Sequence, residues 1–189
     1  MPEIIESIVS TMNLDGIVNF APVGIQFNQK EKLLFTVFHS TTTFLNLKCQ
    51  PCGVVNFTSD VLLFAKTALY DHVPNYSIDK NGKAAILDNA DEALEFIVES
   101  TENMGNKSKF FCAKTSTRIL KSPPAGIIRA TGSVIEAIIM VTRLNYLPSS
   151  DIKHTLQVSR NIVDKTGGPN EIEAMELVET FYRSSVPSP

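Results

Sequence analysis

The order of hydrophobic periods along the chain constrains its fold more than any single motif. β-rich apolar segments come first and helical periods come last, with no regular alternation of the two. That order argues against a βαβ architecture with its parallel sheet, and for a small β-barrel with helical additions. Ile4 to Met12 sets Ile4, Ile5, Ile8 and Val9 among Ser and Thr, and Asn13-Leu14-Asp15-Gly16 follows. Asp-Gly tolerates the positive φ of a tight turn, so a strand–turn reading is natural. Ile17 to Phe27 resumes as strand, interrupted at Ala21-Pro22-Val23-Gly24. Pro removes a ladder donor there, so the chain bends or exposes an edge. Lys32 to Phe38 and Gly53 to Phe57 are further strands. Asp60 is placed to cap a helix over Val61 to Leu69.

Residues 71–88 are irregular, with Pro74 and Asn81-Gly82, and read as an excursion over one face. A helix is expected next, capped at Asp88 or Asn89. Ala90, Leu94, Ile97, Val98 and Thr101 lie on one helical face and Gly105 stops it. Phe110 to Leu120 and Ala125 to Val141 read as β, separated by Ser122-Pro123-Pro124, with Gly132 as a bulge. The period then becomes helical. Ile152, Leu156, Ser159 and Val163 share one face after a Ser149-Ser150-Asp151 cap. Lys165-Thr166-Gly167-Gly168-Pro169 ends that helix. Asn170 is expected to cap the next, with Glu173 in the capping-box position and Ala174, Leu177, Val178 and Phe181 as its stripe. The expected organisation is a barrel domain over 1–148, a helical hairpin over 149–183 packed on it, and a frayed tail over 184–189.

A chain of 189 residues with 43% hydrophobic and 20% charged residues is ordinary for a globular protein. The net charge of −3 argues against general nucleic-acid binding, which usually shows a basic stripe. No run approaches 18 apolar residues, so no membrane-spanning helix is expected. Met1-Pro2-Glu3-Ile4-Ile5-Glu6 has no basic segment of the signal-peptide kind, and a soluble, cytoplasmic protein is expected. Cys49-Gln50-Pro51-Cys52 lacks the second ligand pair of a zinc site and the helix start of a thioredoxin-like pair. Small residues in a turn before a strand is the simpler reading, and no metal is expected. No G-x-G-x-x-G follows a strand and no Walker A segment is present, which disfavours Rossmann and P-loop sites.

Three segments can carry chemistry. Ser40-Thr41-Thr42-Thr43 leaves a strand and enters a short helix containing Asn46. Hydroxyls, free backbone N–H groups and the helix dipole make either a phosphate cradle or a helix cap with its spare hydroxyls in water. Asn19-Phe20-Ala21-Pro22-Val23-Gly24 leaves backbone groups that must find water, another segment or a planar heterocycle, unless it is a bulge or barrel corner. Asn56 closes an apolar strand, either as a turn former or as a ligand contact. His39, His72 and His154 make no nucleophilic triad, since no acid is placed by local sequence to orient His39.

Taken together, these segments resemble the FMN-binding split-barrel superfamily and, within it, the flavin-reductase-like proteins. Asn19-Phe20-Ala21-Pro22, Thr43-Phe44-Leu45-Asn46-Leu47 and Val54-Val55-Asn56 match its Asn-x-Ala-Pro, Thr-x-x-Asn and Val-Val-Asn stretches in order and spacing. Lys165-Thr166-Gly167-Gly168 further resembles the turn between the C-terminal helices of an archaeal family of flavin-binding split-barrel proteins of undefined role. The resemblance implies a mainly β (α+β) fold, a split β-barrel with an inserted helix and a C-terminal helical hairpin. It implies a homodimer with one FMN per subunit at the dimer interface. The phosphate is implied at Ser40, Thr41, Thr42 and Thr43, with Asn46 holding the loop. The ring edge is implied near Ser10, Thr11, Asn19, Ala21, Pro22, Val23 and Gly24, with Asn56 and Thr58 nearby. Many flavin reductases carry a Lys or Arg in the phosphate loop, and Ser40 to Asn46 has none. Lys48, Lys114, Arg118 and Arg129 are candidates from elsewhere.

The function implied is that of an FMN-dependent oxidoreductase, with NADH, NADPH or another two-electron donor stacking on the flavin. A non-catalytic flavin carrier and a structural dimer with a vestigial pocket are the alternatives. No catalytic residue is assigned, because the cofactor carries the hydride chemistry and the protein supplies orientation and electrostatics.

Overall fold

The computed structural model describes residues 3–28, 32–79, 82–121 and 128–186. The strands are β1 (Ile5–Met12), β2 (Val18–Phe27), β3 (Leu33–Phe38), β4 (Cys52–Phe57), β5 (Tyr76–Ile78), β6 (Ala85–Leu87), β7 (Glu92–Asn103) and β8 (Lys107–Ile119). The helices are α1 (Thr42–Cys49), α2 (Val61–Leu69), α3 (Arg129–Val141), α4 (Ser149–Thr166) and α5 (Pro169–Ser185). They fall into two compact units, Met1–Thr58 with Val73–Pro123, and Ser59–His72 with Pro124–Pro189.

In the first unit six antiparallel strands close a barrel in the order β1-β2-β3-β8-β7-β4. Alternate residues of each strand point inward. Val9, Val23, Ile25, Val55 and Phe96 therefore meet in one interior, where the Phe35 ring lies 5.4 Å from that of Phe96 and 5.5 Å from that of Phe110. Asn13 builds the first hairpin turn as expected. Its side-chain oxygen accepts from the N–H groups of Asp15 (3.0 Å) and Ile17 (2.8 Å), and Gly16 takes a φ of +82°. The excursion over 71–88 contains the β5–β6 pair, and Ala84 and Ile86 join Val54 and Ala93 in a second apolar cluster.

Several expectations are corrected. The helix expected from Ala90 is the 12-residue strand β7. Its ladder with β8 shifts register between Glu95 and Phe96 and between Val98 and Ser100. Those irregularities break the two-residue alternation and leave apolar spacings that mimic a helical face. Gly105, φ +87°, turns the β7–β8 hairpin instead of stopping a helix. The β segment expected to Val141 is α3 from Arg129 onward, while residues 122–127 lie outside those described. Its β-branched content misleads, since Ala130, Val134, Ala137, Ile138 and Val141 are buried at helical spacing. Gly132 is a helical residue, not a bulge. Pro22 does not break β2, which stays in register with β1 through the pair Ile8 and Pro22.

The second unit gathers α2 and α3 with the C-terminal pair, so the helical unit is larger than residues 149–183. Asp60 caps α2 as expected, accepting from Leu63 N–H at 3.1 Å. Tyr70 donates to the Leu177 carbonyl at 2.8 Å, and Arg160 holds Glu179 through two bonds of 2.9 and 2.7 Å. The box at the start of α5 lies two residues earlier than expected. Gly168 N–H donates to the Glu171 carboxylate at 2.9 Å, and Thr131 donates to the same group at 3.0 Å. Helix α5 continues through Ser185, and 187–189 of the expected tail lie outside the described residues. No helix among the described residues is long and apolar enough to cross a membrane.

Candidate functional site

The barrel closes unevenly. β2 pairs with β1 along residues 18–25, but its ladder with β3 involves only Ile25, Gln26 and Phe27. Among the described residues no strand therefore pairs with the other edge of Val18–Gly24. The expected exposed edge at Ala21-Pro22-Val23-Gly24 exists, although its cause is the divergence of β3 and not a break at Pro22. Proline is tolerated in a ladder where its nitrogen faces an unpaired edge.

Helix α1 starts beside this edge. β3 ends at Phe38, His39 and Ser40 turn, and Thr41 caps the helix. The Thr41 hydroxyl accepts from Phe44 N–H at 3.3 Å and donates to the Phe38 carbonyl at 2.8 Å. One face of α1, at Thr43 and Asn46, and its C-cap Gln50 are tied to the barrel. Asn19 donates to the Thr43 hydroxyl at 3.0 Å. Asn46 donates to the Thr11 hydroxyl at 3.1 Å, and Gln50 donates to the carbonyls of Met12 and Asn13 at 3.2 and 2.7 Å. Leu47 on the same side enters the barrel core. Ser40 and Thr42 are left exposed on the other side, and the first turn of α1 holds no acidic residue. The first N–H groups of a helix have no intrahelical acceptor, so this end attracts an oxyanion.

The fourteen-residue candidate set separates by role. Asn19, Ala21, Pro22, Val23 and Gly24 lie along the uncovered edge, and Ser40, Thr41 and Thr42 lie at the start of α1. Thr11, Thr43 and Asn46 are buried in the bonds that hold the helix to the edge. Ser10 and Asn56 turn elsewhere. Asn56 donates to the Ile8 carbonyl (3.1 Å) and the Ser10 hydroxyl (3.3 Å) and accepts from Leu87 N–H (2.9 Å). Ser10 donates to the Ala85 carbonyl. Both are completely buried and bind β6 to the barrel wall. Thr58 donates to the Asn89 carbonyl at 3.3 Å.

The four cations considered from sequence are also separated. Arg118 is paired with Glu95 at 2.5 Å, Lys114 lies 4.4 Å over the Phe27 ring, and Lys48 belongs to the last turn of α1. Arg129 opens α3 in the helical unit. Sequence reasoning missed Lys107. It opens β8 opposite Phe38, two residues before Ser40, and the neighbouring Asn106 carbonyl accepts from His39 N–H at 2.9 Å. Only the β3–β8 ladder brings it there, so no local spacing could reveal it. His39 is held by a 2.8 Å hydrogen bond to Ser108 and stacks on Phe44 at 4.3 Å. Cys49 is exposed at the end of α1. The Cys52 thiol is pushed above its ordinary range mainly by burial, with Lys83 lowering it and Asp79 raising it. That is the reverse of an activated thiolate. No cluster of metal-ligating side chains exists among the described residues.

A closed antiparallel barrel, one uncovered strand edge and a helix N-terminus beside it define the split-barrel class to which flavin reductases belong. The flavin reductase HpaC, in complex with NADP+, superposes with a TM-score of 0.57 at 20% identity, over 63% of this chain and 80% of that one. The styrene monooxygenase flavin reductase of Pseudomonas putida S12 superposes with a TM-score of 0.54 at 17% identity, over 62% and 82%. Within this class the chain belongs to the DUF447 family. The model described as "Protein of unknown function (DUF447) N-terminal domain" matches residues 5–121, and "Protein of unknown function (DUF447)" matches residues 128–180. An FMN-bound DUF447 protein from Methanosarcina mazei shares the fold with a TM-score of 0.84 at 22% identity, over 96% of each chain.

Proposed function

We propose that this chain is an FMN-binding oxidoreductase of the flavin-reductase-like kind, acting as a homodimer. One observation carries the reading: the Asn19–Thr43 hydrogen bond holds an uncovered strand edge against a helix N-terminus. A flavin mononucleotide needs both, backbone donors and acceptors for the edge of its ring and an oxyanion seat for its phosphate. The FMN bound to the Methanosarcina mazei protein supports the same choice of ligand.

The residues present fit the group. In this reading Ser40, Thr41, Thr42 and the first N–H groups of α1 hold the phosphate, and Lys107 supplies the cation missing from the loop. Asn19 to Gly24 offer backbone groups to the ring. Thr11, Thr43 and Asn46 act as positioning residues, and Ser10 and Asn56 fix the β6 segment. Bound FMN supplies two-electron redox chemistry that no side chain of this protein provides. A reduced nicotinamide, NADH or NADPH, is the proposed donor, supported by the NADP+ in the HpaC complex. Exposed Phe38 and Leu45 flank the start of α1 and offer apolar surface for a second subunit to cover. Three free cysteines fit a reducing compartment, hence the cytoplasm.

The test is the visible spectrum of the purified protein with excess FMN, before and after anaerobic addition of NADH or NADPH. Bound flavin that bleaches supports the reductase reading. Bound flavin that resists both donors removes nicotinamide-dependent turnover and leaves a carrier. Failure to retain FMN overturns the proposal.

A further inference from the structure

The flavin reading leaves one segment without a task, the excursion over 71–88. Its two strands lie against the outside of the barrel. Along β2, Val23 and Ile25 enter the core with Ala21 packed against it, so alternation turns Phe20 outward. Phe20 pairs across the ladder with Ser10 of β1. The excursion covers both residues. Ser10 donates to the Ala85 carbonyl of β6, and the Tyr76 ring on β5 lies 5.4 Å from that of Phe20, tilted by 52°. Phe20 is thereby buried, whereas Tyr76 remains 38% exposed. Phe20 stands between Asn19 and Ala21, within the Val18–Gly24 segment whose second edge pairs with no described strand. A partly exposed aromatic ring is therefore fixed beside the backbone groups that face a planar heterocycle in the flavin reading.

The hairpin that carries Tyr76 is anchored at both ends. At its open end Leu87 N–H donates to the buried Asn56 side chain at 2.9 Å, and Asp88 N–H donates to the Asn75 carbonyl at 3.2 Å. At its turn the Asp79 carboxylate accepts from Lys83 and Ala84 N–H at 2.7 and 2.8 Å. Ala84 and Ile86 seat it on Val54 and Ala93. These contacts make a wall and not a lid, so the Tyr76 ring is in place before any ligand arrives. Aromatic rings gain from an offset or tilted aromatic partner, and the isoalloxazine is a broad planar one. We propose that Tyr76 packs against the isoalloxazine ring of FMN bound along the β2 edge, so that β5 and β6 form one wall of the ring pocket. The contact rests on the flavin reading and adds to it a residue from the excursion.

Composition makes the contact readable. The chain has no tryptophan and four tyrosines. Tyr70, Tyr146 and Tyr182 belong to the helical unit, so Tyr76 is the barrel unit's only tyrosine. A phenol touching an excited flavin lends it an electron and takes it back, which quenches the emission. A phenyl ring of the same shape does not. FMN bound to the full-length protein is therefore expected to be far dimmer than free FMN. Tyr76→Phe is expected to brighten it severalfold at FMN saturation, while Tyr146→Phe leaves it dim. Tyr76→Ala is expected to weaken FMN and riboflavin by the same severalfold factor in equilibrium dialysis, because both carry the ring. Bound FMN as bright as free FMN, or Tyr76→Phe protein as dim as the parent, overturns the contact and leaves the flavin reading in place. So does Tyr76→Ala protein that binds both flavins as tightly as the parent. Parent protein that retains no FMN in dialysis overturns the flavin reading, and the contact with it.

Discussion

The Thr43 hydroxyl accepts from the Asn19 amide, whereas Thr42, one residue earlier, is exposed at the start of the same helix. The two threonines should therefore separate on mutation. Ser40→Ala with Thr42→Val is expected to weaken FMN at least tenfold and leave riboflavin unchanged, since only FMN carries the phosphate. Thr43→Val is expected to lower stability by about 1–2 kcal/mol and affect both ligands alike. Fluorescence titration of the two flavins and urea unfolding distinguish the cases, and equal losses from the double variant would move the phosphate elsewhere. The sequence exposes the hydroxyl cluster but not this division, because helix phase relative to the barrel depends on Asn19, 24 residues away. Asn56 is similar: its type signals importance, but only the fold reveals that its amide is occupied by Ile8, Ser10 and Leu87. Cys112 supplies a pH test. Burial, reinforced by Glu99, pushes its thiol up to about 12 from 9.0. The unfolded chain then loses a proton from about pH 9 while the folded chain keeps it. Its contribution to stability is complete below pH 9 and falls by about 1.4 kcal/mol per pH unit above that. Cys112→Ala should be less stable at pH 7 and show a shallower decline between pH 9 and 11 in denaturant titrations.

Among the elements, those signalled by local chemistry are legible. The Asn13–Gly16 turn, the Asp60 cap and the Gly-Gly-Pro break between α4 and α5 all follow from residues within one turn of each other. β7 and α3 differ from expectation for local reasons: bulges in β7 give its apolar residues a helix-like spacing, and α3 is rich in β-branched residues although its buried face has helical period. Tertiary pairing decided both segments. Gly53 shows pairing at its tightest. A Cβ there would stand 2.6 Å from the Ser10 carbonyl oxygen and 2.8 Å from the Phe96 ring. The first neighbour is backbone in the β1–β4 ladder and cannot rotate away. Gly53→Ala is expected to cost about 1–3 kcal/mol, seen as a lower urea midpoint with unchanged slope. A neutral substitution would mean that β1 and β4 can separate enough to admit a methyl group.

At the scale of the whole molecule, the proposed dimer has a direct consequence in solution. Sedimentation equilibrium should return twice the 20.8 kDa chain mass, and dissociation on dilution should release FMN in parallel. A monomer that retains FMN tightly would contradict a cofactor held at a shared interface. Barrel closure leaves few strand edges, yet the free side of Val18–Gly24 is one of them. Such an edge is a template for any passing extended chain, and crowded, partly folded copies of the same protein are the nearest supply. Pro22 stands in the middle of it. With no N–H to offer, it denies a docking strand one rung of the ladder. Pro22→Val would restore that rung, and we expect the variant to form fibrillar aggregates on prolonged warming, measured by light scattering and thioflavin fluorescence, where the parent chain stays clear. On this argument the proline at the proposed ligand edge would have a second task, to keep the barrel from polymerising through that edge.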